Sequence, residues 1–248
     1  MAEIHVPELS LVVLIGVSGS GKSSFAREKF GPYEAVSSDT CRALVCGDEN
    51  DQSASADAFE LLHHLVGTRL RRGLLTVVDA TSTRKEARAD LVRVAREHDV
   101  LPVAIVLDVD PSVAIERNRH RPERDFGEGP VRRQHRQLKS SLRALQREGF
   151  RQVTVLSSEQ EIAGARIVRD RLLNDRTDLH GPFDVVGDVH GCLDELLDLL
   201  DVLGYVITRD ERGGPSTRPT PTGAPWCCSA TWSTGDRTRW ASCAWPWA

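Results

Sequence analysis

The chain has 248 residues, of which 40% are hydrophobic and 27% are charged, and its formal net charge is −4. This length and composition are typical of a globular protein with one or two domains. The weak negative charge argues against a nucleic-acid-binding surface over the whole molecule, so any basic groove must be local. No apolar run approaches the ~20 residues of a membrane span, no secretory signal is recognisable, and the cysteines show no metal-binding spacing. We therefore expect a cytoplasmic protein without a membrane partner.

Short apolar strands alternate with helix-like segments over the first two thirds of the chain. The predicted strands are "LVVLI" from Leu11, "EAVSSD", "LLTVVDA", "LPVAIVLDV" and "RQVTVLSS". Between them, Ser55–Arg72 carries apolar residues at helical spacing, "STRKEARADLVRVAREH" predicts a helix that begins on a Ser/Thr cap, and "PSVAIERNRH" predicts one that begins on proline. This alternation predicts an α/β domain with a mostly parallel sheet flanked by helices.

The first predicted strand leads into "GVSGSGKSS", which fits the phosphate-binding pattern GxxxxGK[ST] at every fixed position. We predict that its backbone N–H groups wrap the phosphates of ATP, that Lys22 reaches the β- and γ-phosphates, and that Ser23 is a ligand of Mg²⁺. A glycine-rich turn that binds nothing is the alternative, which the strand before and the helix after it disfavour. The predicted nucleotide-binding residues are Gly16, Ser18, Gly19, Ser20, Gly21, Lys22, Ser23 and Ser24.

Two carboxylates follow the next two predicted strands. Asp39 in "SSDTCR" can accept a proton from an attacking hydroxyl, and Arg42, three residues on, faces the same way and can grip a phosphate. The alternative is an aspartate that caps a helix beside an unrelated arginine. Asp79 in "TVVDATS" is a candidate ligand of Mg²⁺ or of its waters, and a cap for the next helix is the equal alternative.

An arginine-rich stretch follows the fourth predicted strand. It contains proline, two glycines and few apolar residues, which favours a mobile lid whose arginines stabilise charge on a transferred phosphoryl group. A solvated helix face is the alternative. The arginines of this stretch are Arg117, Arg119, Arg121, Arg124, Arg132, Arg133 and Arg136.

Further along, "FDVV" leads into "GDVHG", which is similar to the opening motif of calcineurin-type phosphoesterases. In a strand, residues two positions apart have their side chains on the same side, as Asp188 and His190 would. One aspartate with one histidine is a ligand pair that suits Mn²⁺ or a similar ion. A turn with an exposed histidine is the alternative. A two-metal site needs a bridging carboxylate, and in phosphoesterases of this type further histidine ligands come from later motifs. The sequence contains no histidine after His190. We therefore expect a vestigial metal site.

These motifs, in this order over about residues 8–208, resemble the bacterial polynucleotide kinase-phosphatases of RNA repair. In that family a P-loop kinase domain phosphorylates 5′-OH ends, and a metallophosphoesterase domain follows it. The resemblance implies that Asp39 is the general base for the 5′-OH and that Arg42 holds a phosphate near the acceptor. It also implies that a lid arginine contacts the donor phosphates, for which we favour Arg117 and Arg121, then Arg124. The implied partners are 5′-OH RNA or DNA, other RNA-repair proteins and a second copy of the chain.

The segment Gly223–Ala248 fits no module and contains all five tryptophans of the chain. The family's second metal motif, GDxxDRGxD, is missing from the sequence as written. Arginine far outnumbers lysine, which indicates that the gene uses GC-rich codons. If "SATWSTGDR" is written in such codons and read from the third base of its first codon, it encodes GDLVDRGPD, which fits the missing motif. We hypothesise that the reading frame changes between about Tyr205 and Trp226, through a sequencing error, a mutation or a programmed event.

The sequence thus predicts three regions. A P-loop NTPase kinase domain with an arginine-rich lid covers residues 1–172, the first strand and helix of a metallophosphoesterase domain cover 173–210, and an irregular, disordered, out-of-frame tail covers 211–248. The leading function is ATP-dependent phosphorylation of polynucleotide 5′-OH ends without phosphatase activity. The alternatives are a small-molecule P-loop kinase, such as one acting on a sugar or on adenylyl sulfate, and a non-catalytic nucleotide-binding fragment of a disrupted gene.

Overall fold

The computed structural model describes residues 3–120, 127–172, 184–186, 192–209, 215–218, 226–228, 232–234 and 237–239. The chain divides into two compact units, Met1–Asp175 and Arg176–Ala248. Among the described residues, no helix is long and apolar enough to cross a membrane.

The first unit alternates strands and helices. Its strands are β1 (Glu3–Pro7), β2 (Ser10–Ile15), β3 (Ala35–Ser37), β4 (Thr76–Asp79), β5 (Leu101–Leu107), β6 (Gln152–Leu156) and β7 (Arg166–Asp170). Its helices are α1 (Lys22–Lys29), α2 (Ser38–Cys46), α3 (Ser55–Arg71), α4 (Lys85–Glu97), α5 (Pro111–Arg119), α6 (Glu128–Ser141) and α7 (Glu159–Gly164). Short 3-10 helices cover Gln52–Ala54 and Leu142–Glu148.

The central sheet has five strands in the order β3-β4-β2-β5-β6, and every neighbouring pair is parallel. In β2, Leu11, Val13 and Ile15 belong to one buried cluster, whereas Val12 and Leu14 belong to another. Successive side chains of a strand point to opposite faces, so a strand that is buried on both faces must be apolar throughout. The predicted α/β fold with a parallel sheet flanked by helices is therefore confirmed.

Helices cover both faces of this sheet. On one face, Leu62 of α3 and Leu91 of α4 join the first cluster, and on the other Phe25 of α1 joins the second. Because the strands are parallel, β2, β3 and β4 all end at the same edge, and open sheets of this type bind ligands at that edge. The phosphate loop follows β2, Asp39 lies just after β3, and Asp79 is the last residue of β4.

Strands β1 and β7 form a separate parallel ribbon, in which Glu3 pairs with Arg166 and Pro7 with Asp170. Ile4 and Val6 of β1 are buried in the second cluster, while Glu3 and His5 are exposed. The sequence patterns did not predict this ribbon or the short helix α7. Neither strand is a continuous apolar run, and each is stabilised by a partner that is remote in sequence.

The arginine-rich stretch is helical on both sides of residues 121–126, which lie outside the described residues. Arg117 and Arg119 end α5, and Arg132, Arg133 and Arg136 lie on α6. These five arginines therefore occupy helices and not an irregular segment. The predicted Ser/Thr cap of α4 is wrong: the helix begins after Arg84, whose side chain makes no capping hydrogen bond.

The second unit contains a single described helix, α8 (Leu193–Val202), and six short strands among its described residues. The strands are β8 (Asp184–Val186), β9 (Val206–Arg209), β10 (Pro215–Arg218), β11 (Trp226–Cys228), β12 (Trp232–Thr234) and β13 (Arg237–Arg239). They pair as β8 with β11, β9 with β10, and β12 with β13. Asp188 and His190 lie outside the described residues. The segment predicted to be irregular, 211–248, contains β10 to β13.

Candidate active site

A cavity of about 450 Å³ opens at the edge of the sheet where the parallel strands end. It is lined by the phosphate loop, by the first turn of α2, by the residues that follow β4, and by one side of α6. The structure brings eight of the predicted site residues to this cavity: Ser18, Gly19, Gly21, Lys22, Ser23, Asp39, Arg42 and Asp79. A second cavity, of about 640 Å³, is lined by Gly19, Ser20, Gly21, Ser24 and Arg117 among others.

The glycines of the phosphate loop are required by its backbone. Gly19 and Gly21 have φ angles of +82° and +93°, which side chains with a Cβ rarely adopt. A Cβ at Gly16 would come within 2.6 Å of the Ser20 hydroxyl, and one at Gly19 would collide with the carbonyl oxygen of Ala114. The loop thus has a tight, left-handed conformation followed directly by the N-terminus of α1, an arrangement that binds phosphate.

Lys22 places its ammonium group within this loop. The side chain is buried, and its Nζ donates hydrogen bonds to the carbonyl oxygens of Gly16 at 2.9 Å and Val17 at 2.8 Å. A buried cation beside a ring of backbone amides suits the phosphates of a nucleotide. The Ser23 hydroxyl and the buried Asp79 carboxylate line the same cavity. These oxygen donors are of the kind that Mg²⁺ takes, so the residues present fit this ion.

Two side chains from α5 and α6 hold the loop at Ser18. The backbone N–H of Ser18 donates to Oε1 of Gln134 at 2.9 Å, and its carbonyl oxygen accepts from Nδ2 of Asn118 at 3.2 Å. Asn118 is buried, whereas Gln134 also lines the cavity. Neither contact is predictable from the sequence, since an amide within an arginine-rich stretch carries no local signal of a partner more than 90 residues away.

Asp39 and Arg42 meet as their spacing predicts. Nη1 of Arg42 donates to Oδ1 of Asp39 at 2.9 Å and to the carbonyl oxygen of Glu49 at 2.7 Å. Nε of Arg42 is buried without a hydrogen-bond partner among the described residues. The side chain of Arg42 is 6% exposed and that of Asp39 is 31% exposed, so the carboxylate is the more accessible member of the pair, although both residues line the cavity.

Neither aspartate caps a helix. Helix α2 is capped by Ser37, whose hydroxyl accepts from the Thr40 N–H at 3.4 Å, and Asp39 lies in the first turn. Helix α4 begins at Lys85, six residues beyond Asp79. The capping alternative, which the sequence left open for both carboxylates, is therefore excluded by the structure.

The segment between β4 and α4 is fixed by a buried arginine. Nη1 of Arg88 donates to the carbonyl oxygens of Ser82 at 3.0 Å and Thr83 at 2.8 Å, and both residues line the cavity. Ser82 has a φ of +45°, which is uncommon for a residue other than glycine. Arg88 was not among the predicted site residues; its place on the apolar face of α4, one turn from Leu91 and Val92, is the signal that could have indicated a buried arginine.

Among the favoured lid arginines, Arg117 is the one that the structure describes. Its Nη2 donates to Oε1 of Glu159 at 2.6 Å, and its Nη1 lies 3.5 Å from the position that a Cβ would take at Gly21. Arg117 is therefore next to the phosphate loop, on the side of the second cavity. Arg121 and Arg124 lie outside the described residues, and Arg133 lines the first cavity.

A family model described as an AAA domain matches residues 11–148, which is more than half of the chain. The chain belongs to this AAA-domain family. The matched range runs from β2 to the end of the 3-10 helix that precedes β6, so it contains the phosphate loop, Asp39, Arg42 and Asp79. The phosphate loop within this range fits the pattern GxxxxGK[ST], which implies a nucleotide and typically Mg²⁺.

Solved structures with a similar fold include several kinases. In the Pnkp1/Rnl/Hen1 RNA repair complex, the similar chain is 18% identical, with 84% of this chain and 60% of that chain covered and a TM-score of 0.49. A gluconokinase from Sinorhizobium meliloti is 21% identical, with 64% and 87% covered and a TM-score of 0.41. A putative kinase from Chloroflexus aurantiacus is 14% identical, with 60% and 88% covered and a TM-score of 0.44.

A curated relative matches a short part of the chain. The bis(5′-nucleosyl)-tetraphosphatase PrpE of Halalkalibacterium halodurans is 53% identical over 36 residues, which are 14% of this chain. The match spans 15% of that relative's length. Within the part of the chain that the structure describes, no group of three or more histidine, cysteine, aspartate or glutamate side chains could hold a metal ion.

Proposed function

We propose that this protein is an ATP-dependent polynucleotide 5′-hydroxyl kinase. The observation that carries the proposal is the position of the Asp39 carboxylate, which lines the same cavity as Lys22 and Ser23 of the phosphate loop and is held by Arg42. A group that can accept a proton thus faces the site where the γ-phosphate would lie. The order of sequence motifs, which resembles that of polynucleotide kinase-phosphatases, supports a 5′-OH end as the acceptor.

The proposed reaction transfers the γ-phosphoryl group of ATP to the 5′ oxygen. Asp39 takes the proton of the 5′-OH, the 5′ oxygen bonds to the γ-phosphorus, and the bond from that phosphorus to the β,γ-bridging oxygen breaks to release ADP. Lys22 and the loop amides offset the negative charge that collects on the phosphates. Ser23 and Asp79 would hold Mg²⁺, which supplies further charge neutralisation when bound.

Arg42 and Arg117 have complementary proposed roles. Arg42 holds Asp39 in place through the hydrogen bond of 2.9 Å and is proposed to bind a phosphate of the acceptor strand. Arg117 lies beside Gly21 and is proposed to contact the donor phosphates after its hydrogen bond to Glu159 breaks. Arg121 is proposed as the second lid arginine, on the resemblance alone.

The test is transfer of label from [γ-³²P]ATP to a 5′-OH oligonucleotide, with RNA and DNA compared. We expect transfer by the wild-type chain and its loss in Asp39→Ala and Lys22→Ala. Asp57→Asn, which changes an exposed carboxylate on α3 outside the cavity, is the matched control and should retain transfer. Transfer to small polyols but not to oligonucleotides would overturn the proposal in favour of a small-molecule kinase. Nucleotide binding without transfer to either acceptor would overturn it in favour of a non-catalytic fragment.

We also propose that the chain has no metal-dependent phosphatase activity. The short match to a tetraphosphatase supports a phosphoesterase-like segment, and Asp188 with His190 would be its residual Mn²⁺ ligands. The sequence offers no histidine after His190 and no in-frame second metal motif. Hydrolysis of a phosphomonoester above background by the pure protein with Mn²⁺ would overturn this. Resequencing the DNA tests the frame hypothesis, which fails unless the other frame encodes GDLVDRGPD.

A further inference from the structure

Phe59 is an aromatic side chain in a cavity that is lined mostly by polar residues, with Ala80, Ala87 and Pro130 as its other apolar side chains. The cavity around it is lined by carboxylates, carboxamides, hydroxyls and arginines, and among its described lining residues Phe59 alone is aromatic. Phe59 therefore marks a place where the cavity offers an apolar, flat surface.

The side chain of Phe59 is held in place by packing against the buried core. Its neighbours on α3, Ala58 and Leu62, are fully buried, and Phe59 itself packs against the same core while remaining partly exposed. One turn further on, the imidazole of His63 lies with its centroid 6.2 Å from that of Phe59 at an interplanar angle of 49°. Because core packing already restricts this side chain, it loses little conformational entropy when a second ring stacks on its exposed face.

The position of Phe59 relates it to the acceptor and not to the donor. Helix α3 packs closely on α2, the helix that carries Asp39 and Arg42. Glu49, Asn50 and Gln52 also line the cavity, and they come from the connection between these two helices. The phosphate loop, the segment between β4 and α4, and α6 form the remaining walls.

We propose that Phe59 is the stacking platform for the terminal base of the acceptor strand. This inference rests on the proposed function, in which the reacting hydroxyl belongs to the terminal nucleotide of a strand. Every base has a π-face, so stacking on Phe59 would give affinity for the strand end with little preference among bases. Asp39 would then face the 5′-OH while the base of the same nucleotide lies on the ring of Phe59.

The experiment compares two 5′-OH oligonucleotides that differ only in their first residue, which carries a base in one and is abasic in the other. For the wild-type chain, we expect the KM of the abasic strand to be about tenfold higher or more. Phe59→Leu keeps apolar packing but removes the flat ring, so it should raise the KM of the intact strand to that of the abasic one. Phe59→Trp should restore the difference, and the KM for ATP should not change.

Tyr33→Ala is the matched control, because Tyr33 is an aromatic residue that is 84% exposed and lies outside the cavity. It should leave the ratio of the two KM values unchanged. Equal KM values for the two strands in the wild type, or an unchanged ratio in Phe59→Leu, would overturn the stacking role while leaving the kinase in place. Absence of transfer to every oligonucleotide would overturn the proposed function, and the stacking role with it.

Discussion

Arg88 and Glu148 form a buried, bidentate ion pair in the first unit. Nε of Arg88 donates to Oε2 of Glu148 at 2.7 Å, and Nη2 donates to Oε1 at 2.8 Å. The side chains are 0% and 6% exposed. Because the remaining Nη1 donates to Ser82 and Thr83, the same guanidinium links the 3-10 helix before β6 to a wall of the active-site cavity.

Replacing Arg88 should therefore destabilise the protein strongly. Arg88→Met leaves the Glu148 carboxylate buried without its partner, and we expect the free energy of unfolding to fall by about 3–5 kcal/mol. Urea unfolding followed by circular dichroism measures the change. Arg88→Met combined with Glu148→Leu should recover part of the loss, because the double variant leaves no unpaired charge but still removes the donor of the Ser82 and Thr83 carbonyl oxygens.

The exposed pair Arg93–Glu97 on the same helix is the control for this prediction. Its two side chains are 60% and 53% exposed, with Nη1 of Arg93 at 2.8 Å from Oε1 of Glu97. Arg93→Ala should leave the free energy of unfolding almost unchanged, because a solvent-exposed ion pair on a helix contributes little to stability. A similar cost for Arg88→Met and Arg93→Ala would contradict the structural role of the buried pair.

Gln134 should tune nucleotide affinity through Ser18. Gln134→Ala removes the acceptor of the Ser18 N–H, and we expect about a two- to tenfold weaker affinity for ATP, as for the loss of one hydrogen bond. Gln137→Ala is the matched control: Gln137 lies one turn further along α6 and also lines the cavity, but it contacts the Thr83 hydroxyl at 3.4 Å. Titration calorimetry with a non-hydrolysable ATP analogue distinguishes the two. Equal dissociation constants for wild type and Gln134→Ala would disprove the role.

Gly19 should not tolerate a side chain. In Gly19→Ala the new Cβ would collide with the Ala114 carbonyl oxygen, and its φ of +82° is itself unfavourable for alanine. We expect ATP binding to be lost although the fold is retained, since the strain is confined to the loop. Gly129→Ala, at a helical position with no atom within 4 Å of the new Cβ, should bind ATP normally. Normal affinity in Gly19→Ala would show that the loop can adopt another conformation.

The parts of the fold that were predictable are those with a local signal. Strand β2 is apolar throughout because both of its faces are buried, and the phosphate loop is a contiguous pattern. The contact between Asp39 and Arg42 follows from helical spacing, which brings positions three apart onto one face. In each case the residues that decide the structure are neighbours in the sequence.

The features that were missed depend on distant partners. Gln134 lies 116 residues from Ser18, and Glu3 of β1 pairs with Arg166 in β7, 163 residues away. Strand β1 alternates buried and exposed residues in only five positions, too few to separate it from a loop. Such contacts are set by the order of strands in the sheet and not by any periodicity of the chain.

The β1–β7 ribbon should become less stable as the pH rises, because of His5. Nδ1 of His5 lies 2.9 Å from Oδ1 of Asp170, and this hydrogen bond and the negative charge raise the pKa of His5 above 6.5. The stabilisation is fully present below that ordinary value and is lost as the pH rises through the pKa of the folded protein. His5→Gln should thus lower the thermal midpoint at about pH 5.5 but hardly at about pH 8. Equal losses at both pH values would contradict the charge pairing.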